Sequence, residues 1–265
     1  MTVVTRARLD AEMVRRGLAR SRQQAGELIE QGRVAVRGVP AGKAATVVDR
    51  DTPVTVTQTD EREWASRGAH KLIGALDAFG VDVTGRRCLD AGASTGGFTD
   101  VLLDRGAAEV VAVDVGYGQL VWRLRSDERV HVHDRTNVRA LEPSAIGGPV
   151  DLVVADLSFI SLRTVLPALV ACTREDGELL PMVKPQFEVG RQRLGSGGVV
   201  RDAGLRLDAL TEVTTAARAS GLVLLGAVAS PLPGPSGNVE FFLRLSRHGV
   251  DAGDAVLAAA IEEGP

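Results

Sequence analysis

From about Ser66 onward, the chain alternates short apolar segments with amphipathic stretches of about 10–15 residues. Connections of that length join parallel strands, and their helices cover both faces of the sheet. Residues 67–265 are therefore predicted to form an α/β domain of the doubly wound, Rossmann-like class. The expected strands are RRCLDAG, VVAVDV, VHVHD, VDLVVAD, ELLPMVK, LVLLGAV and EFFLRL. Helices are expected over residues 69–79 and from Phe98, Gln119, Leu162 and Leu205.

Residues 1–59 have a different pattern. Leu9, Met13 and Leu18 recur at helical spacing, and Ser21 is a suitable cap for a second helix that stops at Gly32. Strands are expected in RVAVRG and over residues 53–59, where side chains alternate. We predict a small α+β module over 1–59, joined to the larger domain by a polar linker over 60–66.

The charge of the chain is unevenly distributed. The net charge is −3, but residues 1–59 hold ten basic and six acidic residues, so this module is positive and the rest is negative. Such a division suggests that the first module contacts a polyanion, although chance scatter would also explain it. The two cysteines, Cys88 and Cys172, have no metal-ligand spacing and cannot form a disulfide framework, which favours a cytoplasmic protein.

A glycine-rich turn, DAGASTGGF, follows the first strand of the larger domain at residues 90–98. Glycines let a backbone turn tightly and approach a ligand at a helix start, which is the nucleotide crevice of doubly wound sheets. Acids and an amide follow the second and third strands, where ribose hydroxyls and an adenine edge would lie. The predicted cofactor-binding residues are Gly92, Ala93, Ser94, Thr95, Gly96, Phe98, Asp114, Asp134 and Asn137.

Two ligands share this arrangement, a dinucleotide and S-adenosylmethionine. A dinucleotide site has the pattern G-x-G-x-x-G, whose middle glycine makes room for a pyrophosphate, but Ser94 holds that position. S-adenosylmethionine has no phosphate and presents an amino acid and a sulfonium, so it is the predicted cofactor. A glycine turn that only packs a strand against a helix is the remaining interpretation.

Four polar residues are expected at the same edge of the sheet. Asp156 follows the fourth strand, Lys184 the fifth, Glu240 opens the last, and Lys71 lies in the preceding helix. Singly, each has a structural explanation as a helix cap, a solvated lysine or an edge-strand charge. Only three of the 31 basic residues are lysines, and a lysine, unlike an arginine, can lose its proton. Ribose 2′-O-methylation needs such a set, because the sugar hydroxyl must lose its proton as it attacks the methyl carbon.

The stretch over residues 186–201 contains four glycines and two arginines before Arg201. A loop of this composition and length between a strand and a helix is typical of a flexible cover over a site. We expect it to be mobile.

The strings HKL, DAGASTGGFTD, ADLSFISL, VKPQFE and GNVEFF resemble the TlyA family of rRNA methyltransferases, whose bodies are similar to FtsJ-like ribose methyltransferases. The segment LDAEMVRRGLARSRQQAGELIEQGRVAVRG resembles the RNA-binding domain of small-subunit ribosomal protein four. The likeness covers nearly the whole chain. It implies S-adenosylmethionine-dependent methylation of cytidine 2′-hydroxyls in the rRNA of both ribosomal subunits.

The resemblance also assigns roles to residues. It implies a Lys-Asp-Lys-Glu tetrad at Lys71, Asp156, Lys184 and Glu240, with Lys184 as the principal base and Glu240 orienting the sugar. The linker tetrapeptide REWA, residues 62–65, would couple RNA binding to donor binding.

Recognition of RNA is expected to depend on the first module and on the folded shape of the RNA, with the target cytidine flipped out of its helix. The candidate phosphate contacts are Arg6, Arg20, Arg22 and Lys43.

Three other functions were compared with this one. A membrane-lytic, hemolysin-like protein is opposed by the longest run without a polar side chain, residues 222–229, since a span needs about 18 apolar residues. An NAD-dependent oxidoreductase is opposed by Ser94 and by the lack of a hydride-partner histidine. A non-catalytic ribosome-assembly factor would not need all four polar residues. We expect rRNA in ribosomal subunits as partner, no membrane and no metal; the oligomeric state stays open, with a monomer favoured.

Overall fold

The structure is a computed structural model that describes residues 6–57 and 62–264. The chain divides into two compact units, Met1–Glu63 and Trp64–Pro265. Residues 60 and 61 of the predicted linker, and residues 58 and 59 of the strand predicted at 53–59, lie outside the described part.

The first unit is a small α+β domain. Two helices pack on short antiparallel strands through a core that includes Leu9, Met13, Ile29 and Val34. As predicted, Ser21 Oγ caps the second helix by accepting from Gln24 N–H at 3.2 Å. The elements are β1 (Arg6–Arg8), α1 (Leu9–Arg15), α2 (Arg22–Glu30), β2 (Val34–Val36), β3 (Val39–Pro40), β4 (Val47–Asp49) and β5 (Val54–Val56). Strands β1 and β4, which pair with one another, were not predicted.

The second unit is the predicted doubly wound domain. Its described strands form one sheet in the order β11-β12-β10-β9-β6-β7-β8. The strands are β6 (Arg87–Ala91), β7 (Glu109–Val113), β8 (Val130–His133), β9 (Val150–Ala155), β10 (Thr173–Val183), β11 (Val223–Ala229) and β12 (Phe241–Ser246). The helices are α3 (Gly68–Phe79), α4 (Gly97–Asp104), α5 (Trp122–Arg125), α6 (Leu162–Ala171), α7 (Pro185–Glu188), α8 (Ala203–Ala219) and α9 (Ala255–Glu262).

The pairings explain where the functional edge lies. Strands β6 to β10 run parallel, with β9 and β7 on the two sides of β6, so the chain reverses its direction of winding at β6. Strand β12 is antiparallel to β10 and β11, which makes the sheet mixed at that side rather than wholly parallel. Apolar cores fill both faces of the sheet, one around Leu166 and Leu210 and the other around Leu72 and Phe242.

Two helices differ from expectation. The helix expected from Gln119 is only Trp122–Arg125, because the chain from Val115 to Leu120 forms a loop around Asp114 instead. The last helix, α9, was not predicted and packs on β11. None of the helices in the described residues is both long and apolar enough to span a membrane.

Candidate active site

The glycine-rich turn lies at the carboxyl end of β6, where the winding of the sheet reverses. Gly92 and Gly96 have φ of 89° and 101°, a region that residues with a side chain rarely adopt. A Cβ at Gly92 would lie 2.5 Å from the carbonyl oxygen of Asp156, so the turn packs directly on the segment after β9. Only glycine fits at this position, and the turn leads directly into the start of α4.

Asp114, at the end of β7, is held by the neighbouring backbone. Its carboxyl oxygens accept from Ser94 N–H at 2.8 Å and Gly116 N–H at 2.6 Å. The side-chain amide of Gln119 also donates to Asp114, at 3.2 Å, and its oxygen lies 3.5 Å from Ser94 Oγ. Sequence reasoning missed Gln119, and the string DVGYGQ offers no spacing that would have found it. We call the turn over 92–96 together with Asp114 the donor side.

The other predicted cofactor residues have mixed surroundings. Asp134 accepts from Arg125 at 2.9 Å and from Gly118 N–H at 3.2 Å, and so it supports the loop after β7. Asn137 accepts from Arg139 N–H at 3.0 Å and caps a short 3₁₀ turn.

Within the turn itself, Ser94 is exposed, Thr95 is half-buried and Ala93 is buried. The Phe98 ring is buried in the core against Phe242, at 6.0 Å between ring centroids. Only the backbone N–H of Phe98, in the first turn of α4, is therefore available to a ligand.

Asp90, the first residue of the glycine string, is fully buried. Its Oδ2 accepts from both the N–H and the hydroxyl of Thr99, at 2.8 and 2.7 Å, which fixes the start of α4 to the end of β6. Its Oδ1 has no hydrogen-bond partner within the described residues. Burial, with the nearby charges of Asp156 and Asp114, raises the pKa of Asp90 to about 7. The sequence analysis did not assign this residue.

The four residues predicted to be catalytic lie in two ion pairs, in which both lysines and Glu240 are buried and Asp156 is half-buried. Lys184 Nζ is 2.6 Å from Asp156 Oδ1 and donates to Ser158 Oγ at 2.9 Å. Lys71 Nζ is 2.5 Å from Glu240 Oε2, and the Glu240 side chain is 1% exposed. We call these four residues the acceptor side.

The sheet register brings the two pairs to one edge. Strands β10 and β12 pair Val183 with Phe241, so Lys184 and Glu240 are the next residues on neighbouring antiparallel strands. Asp156 follows β9, the parallel neighbour of β10 on its other side. Lys71 reaches the same edge from α3. Each lysine thus has a carboxyl partner at the carboxyl edge of the sheet.

An exposed aromatic ring that the sequence analysis did not single out lies beside this edge. Phe159 is 92% exposed and has φ of 63°, a backbone conformation that is unfavourable for a bulky residue. Its ring lies 5.2 Å from the ring of Phe187, and Lys184 Nζ is 6.0 Å from the Phe187 ring. A strained, exposed aromatic next to an active-site edge offers a stacking surface.

The segment over 186–201 is anchored rather than free. Val189 and Val200 are buried against Ala209. Asn238 Oδ1 accepts from Val200 N–H at 2.8 Å, and its amide donates to Gly198 at 3.0 Å. The segment therefore contacts the chain that leads into Glu240, and its mobility stays a prediction.

The candidate RNA contacts of the first unit are exposed, but three of them have acidic partners. Arg6 lies 3.4 Å from Asp49, Arg20 lies 2.6 Å from Glu63, and Arg22 lies 3.0 Å from Asp10. Lys43 is exposed. The Arg6–Asp49 and Arg20–Glu63 pairs lie at the surface and are weak, so an RNA phosphate can compete for these two arginines, whereas the partner of Arg22, Asp10, is buried. Within residues 6–57 and 62–264, histidine, cysteine and acidic side chains form no cluster suited to a metal ion.

A mixed seven-stranded sheet with a glycine turn at its reversal point and an acid after the next strand is the fold of S-adenosylmethionine-dependent methyltransferases. Residues 64–247 match the FtsJ-like methyltransferase family, and residues 7–54 match the S4 domain. A Mycobacterium tuberculosis protein named 16S/23S rRNA (cytidine-2′-O)-methyltransferase TlyA is 62% identical to this chain, over 98% of this chain and 99% of its own length. The chain belongs to the TlyA family of FtsJ-like methyltransferases.

Other relatives carry a different name. A protein named Hemolysin A from Brachyspira hyodysenteriae is 36% identical, over 88% of this chain and 97% of its own. A solved structure from Streptococcus thermophilus, described as a proposed hemolysin, superimposes with a TM-score of 0.78 at 35% identity, over 98% of this chain and 96% of that one. Hemolysin and methyltransferase names therefore occur within one family.

Proposed function

We propose that this protein transfers the methyl group of S-adenosylmethionine to the 2′-hydroxyl of cytidine in the rRNA of the small and large ribosomal subunits. The observation that carries the proposal is the pair of lysine–carboxyl contacts at the carboxyl edge of the sheet, whose lysines are both buried. The S4 domain and the name of the relative from Mycobacterium tuberculosis support rRNA as the substrate. That substrate would place the protein in the cytoplasm.

The donor side fits S-adenosylmethionine on its own geometry. The positive φ of Gly92 and Gly96 leaves the backbone open to an amino-acid group, and the first N–H groups of α4 suit its carboxylate. Asp114 offers carboxyl oxygens to ribose hydroxyls. Its present partners, Ser94 and Gln119, are exposed and can share those oxygens with a ligand. When bound, the donor supplies an electrophilic methyl group on a sulfonium, which leaves as a neutral thioether.

The acceptor side supplies the proton acceptor. Lys184 Nζ would take the proton that the 2′-hydroxyl loses as its oxygen bonds to the methyl carbon, a role that requires the amine in its neutral form. Asp156 and Ser158 hold that amine in place at 2.6 and 2.9 Å. The Lys71–Glu240 pair would orient the sugar beside it. Holding the reacting groups in line contributes much of the rate in such reactions.

RNA would be recognised at two places. Exposed cations of the first unit, such as Lys43, suit phosphates, which position an RNA without reading its sequence. At the acceptor side, the exposed Phe159 ring suits a base that is unstacked when the target nucleotide leaves its helix.

The direct test is methyl transfer to purified ribosomal subunits that lack the modification. With S-adenosylmethionine labelled in its methyl group, we expect label in both subunits and, after nuclease digestion and mass spectrometry, 2′-O-methylcytidine as the product. Label on a base, or no label in either subunit, would contradict the proposal.

A further inference from the structure

The segments that follow β9 and β10 are joined by three successive contacts. At the near end, Lys184 contacts Asp156. In the middle, the rings of Phe159 and Phe187 lie 5.2 Å apart. At the far end, Glu188 contacts Ser161 and Leu162. Glu188 is a buried acid that has no part in the proposed chemistry.

Glu188 is the last residue of α7, the single turn that begins directly after Lys184. Its side chain is 1% exposed. One carboxyl oxygen accepts from Ser161 Oγ at 2.5 Å and the other from Leu162 N–H at 2.7 Å. Arg163 Nε lies 3.4 Å away. The Glu188 carboxyl group, in the segment after β10, is thus hydrogen-bonded to the start of α6, which belongs to the segment after β9.

This contact adds to the cap of α6 from another segment of the chain. Ser161 already holds the N-cap position and accepts from Arg163 N–H at 3.3 Å. Burying a carboxyl group costs free energy unless its oxygens are hydrogen-bonded. The hydrogen-bond partners of Glu188 lie in the segment after β9, whereas Glu188 itself lies in the segment after β10. The consequence specific to Glu188 is a fixed spacing between the loop that carries Lys184 and the loop that carries Asp156.

We propose that Glu188 is a positioning residue for methyl transfer, which holds Lys184 Nζ against Asp156 and Ser158 by fixing α7 to the start of α6. The inference rests on the proposed role of Lys184 as the base. Lys184 is the N-cap of α7, so the four-residue turn transmits any movement of Glu188 directly to the lysine. Without the contact, α7 is free to rotate, and the amine loses its alignment with the sugar hydroxyl.

Three substitutions separate the length of the side chain from its charge. Glu188→Ala should lower the single-turnover rate of methyl transfer about 100-fold, the effect of a displacement of about 1 Å, with unchanged donor affinity. Glu188→Gln keeps an oxygen for Leu162 N–H and an amide for Ser161 Oγ, so it should stay within about tenfold of the unsubstituted protein. Glu188→Asp keeps the charge but not the reach, so it should be slower than Glu188→Gln.

A matched control lies at the opposite end of β9. Asp151 also accepts a backbone hydrogen bond from a neighbouring strand, from Arg87 N–H at 2.8 Å, but it is remote from the acceptor side. Asp151→Asn should lose thermal stability without losing rate. Hydrogen exchange gives a readout that needs no RNA: Glu188→Ala should exchange the Leu162 amide faster.

The outcomes distinguish this inference from the proposed function. If the unsubstituted protein transfers no methyl group to RNA, the proposed function fails and the role of Glu188 fails with it. If it does transfer, and Glu188→Ala binds the donor and reacts at the unsubstituted rate, only the role of Glu188 is overturned. An equal loss of rate in Glu188→Gln and Glu188→Ala would also overturn it, because the hydrogen bonds to the start of α6 would then not be the cause. A loss in Asp151→Asn of the same size would overturn it as well, because the effect would then be one of general stability.

Discussion

The donor side and the acceptor side occupy the same edge of one sheet but are built differently. On the donor side, backbone groups make most of the contacts: Gly92 adopts a conformation that suits glycine, and Asp114 accepts backbone N–H groups from two loops. On the acceptor side, side chains contact side chains in ion pairs whose lysines are buried, and the lysine amines have carboxyl partners at 2.5 and 2.6 Å. A backbone site depends on local conformation, whereas a buried ion pair depends on the chemical identity of both partners.

This difference predicts a division of effects. Changes on the donor side should weaken the binding of S-adenosylmethionine, and changes on the acceptor side should slow the transfer step with little effect on binding.

The largest effect is expected for Lys184→Ala. Removing a general base lowers a rate by roughly 10²–10⁴-fold, so single-turnover transfer should fall by that factor. Arg129→Ala is the control, because it removes an exposed cation that lies just before β8 and should leave the transfer step unchanged. Full turnover by Lys184→Ala would remove the acceptor side from the chemistry.

The next effect concerns Asp90, which lies between the two sides. Burial is the main cause that raises its pKa from 3.8 to about 7, and the charges of Asp156 and Asp114 add to it. The pKa of Asp90 is higher in the folded protein than in the unfolded one. Its contribution to the free energy of unfolding is therefore fully present below about pH 4 and is lost as the pH rises through about 7.

Asp90→Asn does not titrate, so it isolates this contribution. Between about pH 4 and pH 7, the free energy of unfolding of the unsubstituted protein should fall relative to that of Asp90→Asn by roughly 4 kcal/mol. Denaturant titrations at several pH values measure the difference. Parallel stability curves for the two proteins would show that Asp90 is not perturbed.

On the donor side, Asp114→Ala should raise the dissociation constant for S-adenosylmethionine about 10–100-fold. The net loss is about one hydrogen bond to a carboxylate, which contributes about 1.5–3 kcal/mol. Calorimetric titration gives the value, and Asp127→Ala, which removes an acid paired with Arg129 at the surface, is the control. Unchanged donor affinity in Asp114→Ala would move the ribose site elsewhere.

The smallest effect is expected in the first unit, remote in sequence from both sides. Lys43→Ala should weaken RNA binding a few-fold for any sequence and reduce the salt dependence of binding by about one phosphate contact. Arg129→Ala removes an exposed cation of the second unit and serves as the comparison. A salt dependence that is equally steep with and without Lys43 would exclude it from the contact.

The fold and the residues of the donor and acceptor sides could be predicted wherever a local rule links residue type to structural position. Alternating apolar segments identified the strands, Ser21 identified a helix start, and scarce lysines after apolar strands identified the acceptor side. Two features had no local signal. The antiparallel direction of β12 depends on how the chain returns from β11, and the short α5 reflects the loop that Asp114 organises.

Other site residues emerged only from tertiary packing. Phenylalanine is a residue type that usually lies in the core. Only the left-handed backbone conformation and the exposure of Phe159 distinguish it from a core residue. The roles of Gln119 and Asp90 follow from their tertiary neighbours. Gln119 donates a hydrogen bond to Asp114, and Asp90 accepts one from Thr99. Local patterns in a single sequence do not show which distant residues become neighbours in the fold.

The most direct test measures two quantities on the same preparations of Lys184→Ala and Asp114→Ala: the dissociation constant for S-adenosylmethionine and the transfer rate at saturating donor. Lys184→Ala should keep the unsubstituted dissociation constant and lose at least about 100-fold in rate. Asp114→Ala should lose at least about tenfold in affinity and stay within a few-fold in rate. If Lys184→Ala lost donor affinity as strongly as Asp114→Ala while transferring methyl groups at the normal rate, the division between the two sides would be wrong.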